Sequence, residues 1–126
     1  LGGRPGVFSA RYGGHGLTDR QRNLHLLRQI QDEVNRRARF CCVVAMRFPG
    51  KESIVTVDGV CEGMLSGELR GEEGFGYDPI FVPEGHIQTF SEMGVDLKNK
   101  MSHRFKALVL ASQKIKEFLA EKSKSR

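Results

Sequence analysis

Apolar residues recur at helical spacing near both ends of this chain and at strand spacing between them. Leu24, Leu27, Ile30 and Val34 trace one narrow apolar stripe, which predicts a helix from Asp19 to about Arg36. Thr18 can cap it, and Asp19 is favourable at its positive end. Phe40 to Phe48 is dense in Val, Phe and Cys and predicts a strand well buried on at least one face. Pro49-Gly50 turns the chain. Ile54 to Val60 is a second β-rich run, with Val55 and Val57 on one side and Ile54 and Thr56 on the other. The two runs predict an antiparallel hairpin. A third short strand is expected around Met64-Leu65, after Gly63, and another at Ile80 to Val82.

The end of the chain reads as helical. Thr89 and Glu92 have capping-box spacing and predict a short helix before Gly94. From Ser102 onward, Phe105, Leu108, Val109, Ser112, Ile115, Phe118 and Leu119 trace one face of a long helix. Phe and Leu at that spacing predict core packing. Ser102 at its start puts His103 and Arg104 in the first turn, where unpaired backbone N–H groups favour an anion or a carbonyl oxygen. Strands between helices make the class α/β.

Composition changes this picture little. A chain of 126 residues, 39% hydrophobic and 28% charged, fits one soluble globular domain. The formal charge of +5 suits an anionic partner. Much of that excess sits in Lys114, Lys116, Lys122, Lys124 and Arg126. Cations there are favoured by the helix dipole, so the cluster reads as a solvated helix end. Basic residues are not interleaved with exposed aromatics, which argues against nucleic acid as a partner. Cys41, Cys42 and Cys61 are odd in number and lack C-x-x-C spacing. Neighbouring strand positions point to opposite faces, so Cys41 and Cys42 cannot line one site; they read as small buried hydrophobes in a reduced, cytoplasmic setting. No stretch has the apolar length of a membrane span, which argues against a membrane partner.

Two short segments carry candidate chemistry. In Gly74-Phe75-Gly76-Tyr77-Asp78-Pro79 an aromatic ring is flanked by glycines and followed by a carboxylate. On composition alone it is a turn between strands. It is equally a platform for a planar base, because glycine lets the backbone approach a flat ligand. Lys98 and Ser102-His103-Arg104 bring an amine, a hydroxyl, an imidazole and a guanidinium together. That set suits phosphate oxygens or a base carbonyl, and also an ordinary exposed helix start.

Order and spacing add to these readings. Leu1-Gly2-Gly3-Arg4-Pro5-Gly6-Val7-Phe8-Ser9-Ala10-Arg11-Tyr12, Ala38-Arg39-Phe40-Cys41-Cys42, Gly74 to Pro79, and Lys98-Asn99 through Ser102-His103-Arg104 occur in that order. From Leu1 to about Leu119 the chain resembles the inosine triphosphate pyrophosphatase family. The resemblance implies an α/β fold with a mixed twisted sheet flanked by helices. It implies hydrolysis of deaminated purine nucleoside triphosphates (ITP, dITP, XTP) to the monophosphate and pyrophosphate, with one Mg²⁺ per site, in a homodimer. The nucleotide contacts it implies are Phe75, Gly76, Tyr77, Asp78, Lys98, His103 and Arg104. Phe75 would stack on the purine, Asp78 would accept from N1–H, and His103 and Arg104 would donate to the 6-oxygen. Adenine reverses both polarities and would leave buried polar groups unpaired. Lys98 would reach a phosphate or the base.

One departure is large. The family carries, before its Leu-Gly-Gly segment, a Ser/Thr-x-Asn-x-x-Lys phosphate loop, an acidic metal ligand and an Asp-Asp-Ser-Gly motif with the presumed general base. None of these is in this sequence. Residues 1–126 are therefore expected to form the C-terminal, base-binding portion of a single pyrophosphatase domain. Neither the catalytic base nor a metal ligand is expected in this chain, and Glu62, Glu68, Glu72 and Glu73 are not assigned as ligands. The chain alone is expected to be inactive, and to expose a strand edge and an apolar face. Two alternatives are a basic nucleic-acid-binding module and a pyrophosphatase of modified pyrimidine nucleotides.

Overall fold

A computed structural model describes residues 1, 4–14 and 16–124. Gly2 and Gly3 of the first motif and Arg126 of the basic tail lie outside the described residues. The elements are a 3₁₀ turn at Gly6–Arg11, helix α1 (Asp19–Gln29), strands β1 (Arg37–Met46) and β2 (Val55–Leu65), a 3₁₀ turn at Asp78–Ile80, strand β3 (Phe81–Pro83), and helices α2 (Val95–Met101) and α3 (His103–Lys124). The expected α/β class holds: an antiparallel sheet in the order β1-β2-β3, flanked by helices. The chain divides into two compact units. The first comprises residues 1–38 and 62–95, the second 39–61 and 96–126.

In the first unit, Leu26, Ile30 and Ile80 form a buried cluster, with Tyr12, Leu27, Leu65, Leu69 and Tyr77 packed around it. Helix α1 starts where expected, with a complete capping box. Gln21 N donates to Thr18 Oγ1 at 3.1 Å and Thr18 N to Gln21 Oε1 at 2.8 Å. It stops at Gln29, well short of Arg36. Arg36 is drawn into strand pairing instead, its carbonyl accepting from Leu65 N at 2.9 Å. Its guanidinium reaches Leu65 O at 3.1 Å and Ser66 O at 2.7 Å. Those tertiary bonds outweigh the helical propensity of residues 31–36. The apolar stripe shifts accordingly: Leu26 and Ile30 are buried, Leu24 is partly exposed and Val34 is 97% exposed.

The strand expected at Met64-Leu65 is the end of β2. It continues because β3 pairs with it antiparallel, Gly63 opposite Pro83 and Leu65 opposite Phe81. Thr89 and Glu92 form the reciprocal capping bonds, Thr89 N to Glu92 Oε1 at 2.9 Å and Glu92 N to Thr89 Oγ1 at 3.3 Å. The segment makes one turn and no helix, and the next helix, α2, starts after Gly94. Capping satisfies first-turn donors but does not supply the further turns that repay nucleation.

In the second unit, Pro49-Gly50 turns the chain, with Lys51 N donating to Phe48 O at 3.1 Å. Strand β1 alternates exposed and half-buried positions, so neither face is well buried. Cys41 is therefore exposed and Cys42 half-buried, on opposite faces, and only Cys61 is buried. Helix α3 has a further surprise. Of the face expected to pack, Phe105, Leu108, Val109, Ile115 and Leu119 are 40–60% exposed and Phe118 is half-buried, while Ala107 and Ala111 are buried. Gly59 of β2 explains this: a Cβ there would collide with the His103 carbonyl and the Ala107 amide. Backbone approaches backbone at this point, and only methyl side chains fit along the contact line. Phe48 and Phe118 stack 4.6 Å apart, with the Lys122 ammonium 5.5 Å from the Phe118 ring centre.

Candidate functional site

The Gly74–Pro79 segment, in the first unit, is a turn in which most backbone groups are committed. Gly74 and Gly76 both take positive φ, +85° and +60°, which side chains with a Cβ rarely tolerate. Asp78 N donates to Phe75 O at 3.2 Å, and Ile80 N to Tyr77 O at 3.1 Å. The Asp78 carboxylate folds back and accepts from Phe75 N at 3.1 Å. Its own carbonyl accepts from Ser91 N at 3.2 Å, and Pro79 O from Arg70 N at 2.9 Å. Asp78 is 5% exposed and Phe75 57% exposed. A rigid turn thus presents an aromatic ring to solvent.

Tyr77 faces inward. Its hydroxyl donates to Ser9 O at 2.5 Å, tying the first family-like motif to the aromatic turn. Burial raises the phenol above its ordinary value of 10.0, partly offset by the Arg22 guanidinium. Arg22 is itself buried and donates to Tyr12 O at 3.2 Å and Leu17 O at 3.3 Å.

Sequence reasoning missed two residues at this turn. Gly76 N donates to Asp19 Oδ2 at 3.0 Å, and Asn23 Nδ2 donates to Gly76 O at 2.9 Å. The signal was available as a polar pair four residues apart on α1, with Asn23 beside an apolar stripe.

The other predicted residues lie in the second unit. Lys98 is half-buried on α2. Ser102 caps α3, its Oγ accepting from Phe105 N at 3.1 Å. His103 is half-buried and stacks on Phe40 of β1, ring centres 4.9 Å apart and planes 16° from parallel. Stacking occupies one face of the imidazole. Arg104, in the same first turn, is exposed.

Among the described residues no group of three or more His, Cys, Asp or Glu is arranged to hold a metal ion. An open cleft of about 340 Å³ lies along the β2–β3 pair, lined by Arg37, Met64, Val82 and His86 among others. It includes none of the predicted nucleotide contacts. No helix among the described residues is long and apolar enough to cross a membrane.

Comparison with known proteins agrees with the motif order. The model of the Ham1 family matches residues 1–114. The chain is 42% identical to a dITP/XTP pyrophosphatase of Chlorobaculum tepidum, over 96% of this chain and 58% of that protein. It is 47% identical to the dITP/XTP pyrophosphatase of Deinococcus deserti, over 86% of this chain and 51% of the relative. The structure of a HAM1 protein from Coxiella burnetii superposes with a TM-score of 0.83 at 40% identity, covering 90% of this chain and 59% of that one. The Staphylococcus aureus Ham1 protein gives 0.85 at 33% identity, with the same coverage. The chain spans between half and three fifths of the length of these relatives.

Proposed function

Because the chain belongs to the Ham1 family, we propose that it forms the base-holding portion of a nucleoside-triphosphate pyrophosphohydrolase that acts on deaminated purine nucleotides. ITP, dITP and XTP would yield the monophosphate and pyrophosphate. The observation that carries this reading is the hydrogen-bonded turn that exposes Phe75. Stacking on such a ring is worth about 1–3 kcal/mol per base, and a fixed turn lowers the ordering cost of binding.

Each group has a proposed role. Phe75 stacks on the purine, with Gly76 and Tyr77 shaping the turn beneath it. A carboxylate has about four acceptor positions, so Asp78 can hold Phe75 N and still accept from the N1–H of a 6-keto purine. At the start of α3, His103 and Arg104 are donors suited to the 6-oxygen. Lys98 is a cation for a phosphate or for the base. Adenine presents an acceptor at N1 and a donor at N6, so it would leave both sets mismatched. Mg²⁺ dependence, a homodimer and a cytoplasmic setting are proposed with the same reading. The Mg²⁺ ligands and the general base are not assigned to residues of this chain.

A substrate panel on the intact protein tests this. ITP, dITP and XTP should exceed ATP in kcat/KM by about 100-fold or more. Comparable efficiency on ATP would sink the purine-edge assignment, and a preference for modified pyrimidines would replace the substrate class.

A further inference from the structure

The backbone of Gly76 is held at both its N–H and its carbonyl by one helix. Asp19 Oδ2 accepts from its N–H at 3.0 Å and Asn23 Nδ2 donates to its carbonyl at 2.9 Å. The two side chains sit one helical turn apart on α1 and share a face. Asn23 is 1% exposed, and its Oδ1 has no hydrogen-bond partner. Leaving a buried amide oxygen unpaired costs about 1–3 kcal/mol. Packing does not explain that cost, because a leucine would fill the position without it. What Asn23 supplies and leucine cannot is the N–H aimed at Gly76 O. A carbonyl only accepts, so the amide orientation is dictated by the contact itself.

Gly76 adjoins the exposed Phe75, and glycine has more backbone freedom to lose on ordering than any other residue. We propose that Asp19 and Asn23 are positioning residues that clamp the Gly76 backbone and so fix the pose in which Phe75 meets the purine. Neither touches the nucleotide. Their effect is to keep the stacking surface ordered before the base arrives, and this rests on the base-binding role proposed above for Phe75.

Kinetics on the intact protein with ITP test it, with inorganic tripolyphosphate as a competitor that lacks a base. Asp19→Ala and Asn23→Ala should each raise KM by about three- to tenfold, the worth of one net hydrogen bond, with kcat changed less. Asn23→Asp, nearly isosteric but turning an acceptor toward the carbonyl, should be at least as damaging. Asp19→Asn keeps an oxygen acceptor and should recover most of the loss seen in Asp19→Ala. A role in helix charge or in the 3.7 Å Arg22 ion pair would give no such recovery. Inhibition by tripolyphosphate should stay at its wild-type strength in all four variants. Wild-type KM in a folded Asn23→Ala protein, or parallel weakening of ITP and tripolyphosphate, would overturn the proposal. Amide exchange at Gly76 reads the clamp without turnover: Asp19→Ala should accelerate it severalfold, and unchanged exchange would also overturn the clamp. A wild-type protein inert toward ITP, dITP and XTP would instead reject the purine reading, leaving the exchange result to decide the clamp.

Discussion

The aromatic turn of the first unit is held mainly by polar groups from distant positions, whereas the first turn of α3 in the second unit adds close packing to its local Ser102 cap. Around Phe75, Asp19, Asn23 and Asp78 each form a directed bond to the turn's backbone. At His103 the fixed points are a glycine that lets two backbones meet and a phenylalanine stacked on the imidazole. The cores differ as well. Leu26, Ile30 and Ile80 are nearly sealed from solvent, but the bulky apolar residues of α3 are largely exposed while its alanines are buried. Bulk secures one region and its absence secures the other. Both devices present a candidate ligand group at a defined place.

The largest expected effect attacks this contrast directly. Ile80 has no exposed surface, so Ile80→Ala should cost about 2–5 kcal/mol by loss of burial and a residual cavity. Leu108 is 60% exposed, and Leu108→Ala on α3 should stay within about 0.5 kcal/mol. Denaturant midpoints for the two variants check the pair. Equal losses would mean that α3 is buried by something the comparison omits.

Gly59→Ala is the next test. One added methyl group must displace either β2 or α3, at about 1–3 kcal/mol. Faster amide exchange should concentrate at residues 103–111, with the Gly76 amide unaffected. A wild-type midpoint for this variant would break the claim that the helix is seated by backbone contact.

The smallest effect is with pH. Thr89 N–H, followed by the Arg70 guanidinium, holds the Glu92 carboxyl below its ordinary value of 4.5. The folded form thus binds this proton more weakly than the unfolded form. Its contribution is present above the unfolded value and fades as pH falls through the folded one. Stability should drop on acidification below about pH 4.5, and Glu92→Gln should remove part of that slope. The Gly59–Ala107 contact is made by backbone atoms and a methyl group, so Gly59→Ala should leave the slope unchanged.

What the sequence disclosed was local. Thr18 and Ser102 as helix caps and Pro49-Gly50 as a turn act through neighbours a few positions away, and all three formed where expected. What it concealed depended on distant partners. The early stop of α1 follows from Arg36 meeting Leu65, and the buried face of α3 follows from Gly59. Neither partner is visible in a helical pattern. The candidate site divides the same way: Phe75 and Asp78 stood out in one short motif, while Asn23 gains its meaning only from Gly76, far along the chain. Thr89 and Glu92 show the limit of a local signature, since their bonds formed without a helix to follow.

The contact at Gly59 also sets an angle. A helix advances about 100° per residue, so seating Ala107 against the strand fixes the direction of every other side chain on α3. His103 lies one turn before Ala107 and comes to rest on Phe40. A single residue inserted between the two would swing the imidazole by about 100° and carry Arg104 with it. A missing methyl group on β2 thus acts as an index mark for the helix. The azimuth of its two candidate nucleotide donors is decided from a neighbouring strand.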